Sequence, residues 1–415
     1  MLRPLPPRTA AIAAAVPLLL AAFALQPSAQ QPTEFKIPED EIARQRDTAS
    51  GQMLLTEALQ FIQVPQARKT FGVTGDGLVA AILDTGIRPT HVDFHGRVVA
   101  QVNFTSDYNG DRTNAADGQG HGTNVSGIVA ARRDPKRPTD PTGEHEGVAP
   151  DAGLAALKVL TNTGNGSFQA VEDALQWVLD NARDPSQPVT SDDDRRKFPI
   201  TVVNLSLSDQ QNHKTPAAFE TSRMRARIQA LVARRIAVVV AAGNEYFTQR
   251  SEQGMGYPAI IPETLSVGAF YDANVGRQAY RSGAIAEQTK PSQITAFSQR
   301  LHSTLAATAR TDVFAPGAVI TSTGRTTDRG ESDQQGTSQA APVTAGVILL
   351  MQQYHLKHAK RLPEVTDLER WLRAGAIDER DNYGDRDNVT NTDLAFPRLA
   401  AVGALTAMKK ELKVP

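Results

Sequence analysis

Leu78-Val79-Ala80-Ala81-Ile82-Leu83, followed at once by Asp84-Thr85-Gly86, is the stretch on which the fold turns. Six apolar residues with no polar break suit a strand covered on both faces, as in a parallel sheet. Similar runs recur at Leu154–Leu160, Ile200–Leu207, Ile236–Ala242 and Thr264–Phe270. Between them, Ser167–Ala182 and Ala217–Arg235 have helical spacing, and Val171, Leu175, Val178 and Leu179 fall on one helical face. Strand alternating with helix predicts an α/β fold with right-handed crossovers and a mostly parallel sheet. Arg132–Glu146, Arg183–Lys197 and Tyr271–Gln293 read as surface insertions, with the charge run Asp192–Lys197 a solvated loop.

The 415 residues, 40% of them hydrophobic, can bury a large core. Lysine plus arginine count 44 against 45 acidic residues, a net charge of −1. That balance argues against a protein built to hold nucleic acid or an anionic membrane. With no cysteine, disulfides, thiolate zinc sites and a cysteine nucleophile are excluded. Arg3 and Arg8, the apolar stretch Ala10–Leu25 and Pro27-Ser28-Ala29 have the three-part layout of a secretory signal over residues 1–29. The apolar stretch is shorter than the roughly 20 residues of a membrane span, and a retained signal anchor is the alternative reading. No later segment is apolar enough to cross a bilayer. The expectation is an exported protein, secreted or periplasmic, with no membrane attachment once the signal is removed. Residues 30–60 are polar and read as a short pre-segment or linker.

In open parallel sheets, reactive groups sit where strands end. Asp84 closes the first apolar run; it is either a turn cap or a carboxylate held at the sheet rim. His121 stands among Gly118, Gly120 and Gly122 at the start of a helical stretch, with no second histidine one turn on, so a zinc helix is disfavoured. Ser338, in Gly336-Thr337-Ser338-Gln339-Ala340-Ala341-Pro342, opens an apolar helix. It is a plain N-cap or a hydroxyl near unpaired N–H groups and the positive helix end. Asn244 follows the run Ile236–Ala242 and can aim its amide at a developing oxyanion. Each signal is weak alone. Together they supply a nucleophile, a base, a carboxylate to orient the base and an oxyanion donor, the parts that acyl transfer needs.

These residues resemble the subtilisin-type (subtilase) serine endopeptidases. The likeness is carried by Ala80–Ile87, His121-Gly122-Thr123 and Gly336-Thr337-Ser338 with Ala340-Ala341-Pro342. It extends through Gly147–Pro150, Lys158–Leu160, Asn204–Leu207, Ala241–Asn244, Tyr257-Pro258-Ala259, Val267-Gly268-Ala269 and Ala315-Pro316-Gly317, in the family's order. The order Asp, His, Ser and the absence of a Gly-x-Ser-x-Gly elbow speak against a lipase-type hydrolase. A non-catalytic relative kept as a binding protein is the other rival.

The resemblance implies a three-layer, subtilisin-like fold over residues 61–405, with a C-terminal tail at 406–415. It implies that Asp84 orients the base, His121 is the base, Ser338 the nucleophile and Asn244 the oxyanion donor. It also implies a monomer that takes protein or peptide substrates as an added strand between Asn162–Gly166 (Asn162, Thr163, Gly164, Asn165, Gly166) and Ser206–Asp209 (Ser206, Leu207, Ser208, Asp209). No cofactor is required for the chemistry; structural calcium is possible, with Asp93 as a candidate ligand. The chain departs from the family's pattern at Asn124, where a histidine is usual, and at Gln339, where a methionine is usual. It departs also at Ser208-Asp209, where two glycines are common, and from this Asp209 is expected to favour basic residues near the scissile bond. The pre-segment is also short beside the usual folding pro-domain.

Overall fold

The computed structural model describes Met1 and residues 34–37, 42–46, 54–132, 146–306, 308–384 and 386–413. Pro32–Pro415 form one compact unit; of the other, Met1–Gln31, only Met1 is described, so the expected signal segment lies outside the described residues.

The elements run β1 (Glu34–Lys36), β2 (Ile42–Arg46), α1 (Leu54–Phe61), α2 (Val64–Phe71), β3 (Val79–Asp84), β4 (Val98–Asn103) and α3 (His121–Ala130). Then come β5 (Gly153–Lys158), β6 (Asn165–Ser167), α4 (Phe168–Asn181), α5 (Asp192–Arg196), β7 (Ile200–Leu205), α6 (Arg223–Ala233), β8 (Ala237–Ala241) and β9 (Leu265–Tyr271). The last part holds β10 (Gln278–Ala279), β11 (Ile285–Ala286), β12 (Val313–Ala318), β13 (Ile320–Thr323), β14 (Glu331–Gln334) and α7 (Thr337–Ala359). It closes with α8 (Val365–Ala374), β15 (Ile377–Arg380), β16 (Ala395–Arg398) and α9 (Ala401–Leu412).

A nine-stranded sheet in the order β15-β16-β12-β9-β8-β7-β3-β5-β4 forms the middle layer. All neighbours are parallel except the edge pair β15–β16. β3 is buried along its whole length, and its side chains alternate between two cores. Ala80 and Ile82 face the core shared with α1, α2, α3, α7, α8 and α9, whereas Val79, Ala81 and Leu83 face that of α4 and α6. Helices on both faces of a mostly parallel sheet make the three-layer α/β fold that the sequence led us to expect. α7 lies deepest: nearly every residue from Thr337 to His355 is buried, which suits a helix apolar on all sides.

Several expectations need correction. The domain does not begin at residue 61: Leu55, Ala58 and Leu59 of α1 are buried in the main core, and β1 and β2 pair with the body. The tail expected at 406–415 is helical through Leu412, with Met408 fully buried. The expected helix 217–235 starts later, at Arg223, because Ser222 caps it by accepting from Arg225 N. The run Asp192–Arg196 is a short helix: Ser191 caps it, and three aspartates lead and two arginines close it, matching the helix dipole. Tyr271–Gln293 is more than surface, since Tyr280, Ala284 and Ala286 of its β10–β11 region are buried. Arg132–Glu146 lies almost wholly outside the described residues.

Candidate active site

Three neighbouring parallel strands, β3, β7 and β8, end at one sheet edge. Asp84 is the last residue of β3, Ser206 follows β7, and Gly243-Asn244 follow β8. α3 starts with His121, and Ser338 is the second residue of α7.

The Asp84 carboxylate accepts from Thr85 N at 2.7 Å and from His121 Nδ1 at 2.8 Å through the same oxygen. Both side chains have no exposure. A buried carboxylate facing Nδ1 selects the tautomer that carries its proton there, so Nε2 holds the lone pair. α3 reaches this close because residue 122 is glycine: a Cβ there would lie 2.3 Å from the Gly86 carbonyl oxygen. Asp117 fixes the loop before His121. Its carboxylate accepts from Gln119 N, Gly120 N, Thr123 N and the hydroxyls of Thr85 and Thr123, at 2.6–3.0 Å.

On α7, Pro342 has no N–H to give the Ser338 carbonyl four residues earlier. The Ser206 hydroxyl takes that role, donating to Ser338 O at 2.7 Å, while Ser338 Oγ donates to Ser206 O at 3.3 Å. This reciprocal pair pins the start of α7 to the end of β7. Asn244 Oδ1 accepts from Thr337 N at 2.9 Å and from its hydroxyl at 2.8 Å. Asn244 lines one pocket with Ser338 and Ser206. Two side-chain amides join the histidine and serine ends. Gln334 Nε2 donates to Gly120 O and Gln339 Nε2 donates to Gln334 Oε1, each at 3.2 Å.

The cleft beside this pocket holds the protein's own chain. β1 pairs antiparallel with β6, Phe35 opposite Gly166, and Ile37 N donates to Gly164 O at 2.9 Å. On its other side Lys36 bridges Ser208. Residues 34–37 thus lie as a strand between the two segments expected to bind substrate. Phe35 is fully buried, its ring 4.3 Å from that of Phe168 and 6.4 Å from that of Tyr257. Gly164 turns the first segment at φ +78°. In that segment Asn162 and Thr163 serve the turn itself. Asn162 Oδ1 accepts from Gly118 N, and the Thr163 hydroxyl bonds that of Thr161 and accepts from Asn165 Nδ2.

In the second segment Ser206, Leu207 and Ser208 line the pocket, but Asp209 does not. Its buried carboxylate accepts from Tyr257 N and Gln211 N and is 2.7 Å from His213 Nε2. The basis for a preference for basic residues is therefore lost. The Asp93 carboxylate accepts from the Thr323 hydroxyl and lies 3.5 Å from His91 Nδ1. Among the described residues no group of three or more His, Asp or Glu is placed to hold a metal ion. Asn124 is buried and donates to Ser332 O and Oγ. Sequence reasoning passed over Asp117, Thr337 and the hydroxyl of Ser206; only Asp117, in a turn just before the glycines, left a readable signal.

The family model Peptidase_S8, the subtilase family, matches residues 75–393, and the chain belongs to that family. It is a serine-type endopeptidase, a hydrolase. The major intracellular serine protease of Bacillus subtilis (strain 168) is 26% identical over 308 residues, 74% of this chain and 78% of the relative. Subtilisin DY of Bacillus licheniformis is 29% identical over 280 residues, 68% of this chain and 78% of the relative. Serine protease AprX of Bacillus subtilis (strain 168) is 26% identical over 370 residues, 85% of this chain and 70% of the relative.

The Ser206–Pro342 arrangement is testable. Ser206→Ala leaves the buried Ser338 carbonyl without its donor and lowers the unfolding free energy by about 1–3 kcal/mol in urea. In a Pro342→Ala background, where the backbone regains an N–H, the same change costs measurably less. Equal losses in the two backgrounds contradict the account.

Proposed function

We propose that the chain hydrolyses peptide bonds through an acyl-enzyme formed on Ser338. Ser338 Oγ swings from the Ser206 carbonyl to attack the scissile carbonyl while His121 Nε2 takes its proton. Asp84 holds the imidazole by its Nδ1 and stabilises the imidazolium that forms. The tetrahedral oxyanion falls between Asn244 Nδ2 and the backbone N–H of Ser338, at the positive end of α7. His121 then returns the proton to the leaving amine, and water enters to release the acid. The observation that carries this reading is the hydrogen bond of 2.8 Å between His121 and Asp84, both without exposure, at the edge where Ser338 and Asn244 also emerge.

The substrate is an extended peptide or protein segment bound as an added strand between Gly164–Gly166 and Ser206–Ser208. The support is that residues 34–37 take that place in the same pairing. Substrate and this segment exclude each other, so the enzyme's own strand is a tethered competitor. Export is proposed from the basic, apolar and small-residue succession of residues 3–29. Among the described residues no helix is long and apolar enough to cross a membrane.

Ser338→Ala abolishes labelling by a serine-directed phosphonate. Asn244→Ala keeps labelling detectable but slows peptide hydrolysis by about a hundredfold to a thousandfold. Hydrolysis at the wild-type rate in the Asn244 variant refutes its role. Removing the buried ring of the competing strand with Phe35→Ala lowers KM for an extended peptide at least about threefold, with kcat unchanged. An unchanged KM shows that residues 34–37 do not compete.

A further inference from the structure

Lys158 ends β5, directly opposite Asp84 in the sheet register, and its side chain has no exposure. Lysine is almost never buried without partners. Its three donors are all engaged: Nζ lies 2.5 Å from Thr85 O, 3.0 Å from Asn162 Oδ1 and 3.1 Å from Asp107 Oδ2.

Each partner leads to a different part of the site. Thr85 follows Asp84, and its hydroxyl accepts from Gly122 N and donates to Asp117. Asn162 Oδ1 also receives Gly118 N, from the loop before His121, and a Cβ on Gly118 would lie 2.3 Å from the Asn162 side chain. Asp107 receives Asn162 N at 2.7 Å, at the start of the segment that pairs with the strand in the cleft. One ammonium therefore joins the exit of the catalytic carboxylate, the approach to the imidazole and the substrate-pairing segment.

We infer that Lys158 is a positioning residue that couples occupation of the Asn162–Gly166 segment to the alignment of Asp84 with His121. This rests on the proposed Ser338 chemistry and adds to it. A strand that pairs with Gly164 and Gly166 steadies Asn162; Asn162 steadies the ammonium; and the ammonium steadies the Thr85 carbonyl and, through it, the carboxylate. The charged groups facing Lys158 are Asp84, Asp107 and Asp117. Burial lowers its pKa from the usual 10.5, opposed by its hydrogen bond to Asp107 and by the three carboxylates. Asp107 thus keeps the ammonium charged to higher pH.

The test is made in the Phe35→Ala background, where the protein's own strand no longer holds the segment, and compares an extended peptide amide, long enough to pair with the segment, with a small ester that does not reach it. Phosphonate labelling of the wild type at Ser338 checks the underlying chemistry separately. Lys158→Met, its fold verified by urea unfolding, is expected to lower the ratio of kcat/KM for peptide over ester at least tenfold. A loss of packing alone would slow both substrates alike. Asp107→Asn, which keeps the shape, is expected to bring the same fall in the ratio only on the alkaline side, its alkaline limb moving to lower pH. The inference is overturned if Lys158→Met folds and slows both substrates equally or neither. It is overturned also if Lys158→Met fails to fold and the Asp107→Asn profile superimposes on that of the Phe35→Ala parent.

Discussion

The hydrogen bond between Asp84 and His121 is the interaction on which the rest depends. Both groups are taken fully out of water. A carboxylate so placed costs several kcal/mol in desolvation unless it is met by donors of good geometry. Asp84 has two, from Thr85 N and His121 Nδ1. The imidazole must therefore be carried by an element that approaches a strand end closely. Gly122 permits that approach, and the Asp117 carboxylate, with its five donors, holds the loop in place. The parallel sheet contributes by ending β3, β7 and β8 side by side, which brings groups far apart in the chain to one rim.

The same rim explains the cleft. A proline in the first turns of α7 frees the Ser338 carbonyl, and the Ser206 hydroxyl binds it, so the nucleophile is located by a neighbouring strand as well as by its own helix. Thr337 holds the carbonyl end of Asn244 by two hydrogen bonds, beside the pocket that both residues line with Ser338. Beyond the pocket, backbone groups of Gly164, Gly166 and Ser208 form open edges that any extended segment can complete. Here residues 34–37 complete them, with Phe35 as the anchor.

Much of this was legible in the sequence, and the gaps have physical causes. β3, β5, β7, β8 and β9 are buried on both faces, so they read as short runs rich in Val, Ile, Leu and Ala. β4 is half-exposed and carries Gln101 and Asn103, and β12 contains Pro316-Gly317, so neither has that signature. Asp84, His121, Ser338 and Asn244 were found because each ends or begins an element amid turn residues. Asp209 was misjudged because its bond from Tyr257 N, 48 residues on, and the burial that comes with it are not visible from a local pattern. Lys158 interrupts an apolar run, and only the tertiary fold sets Asp107 and Asn162 around it. The alternation Phe35-Lys36-Ile37 was a strand signal, but it sits in a polar segment that reads as a linker.

The most direct measurement is proton NMR of the Nδ1–H of His121 in the wild type and in Asp84→Asn. A buried, charge-assisted hydrogen bond to the Asp84 carboxylate places that proton far downfield of ordinary amides. The resonance is expected in the wild type, to shift when a phosphonate is attached to Ser338, and to vanish in the Asp84 variant. A downfield region without such a signal, or a signal indifferent to both changes, would contradict the account.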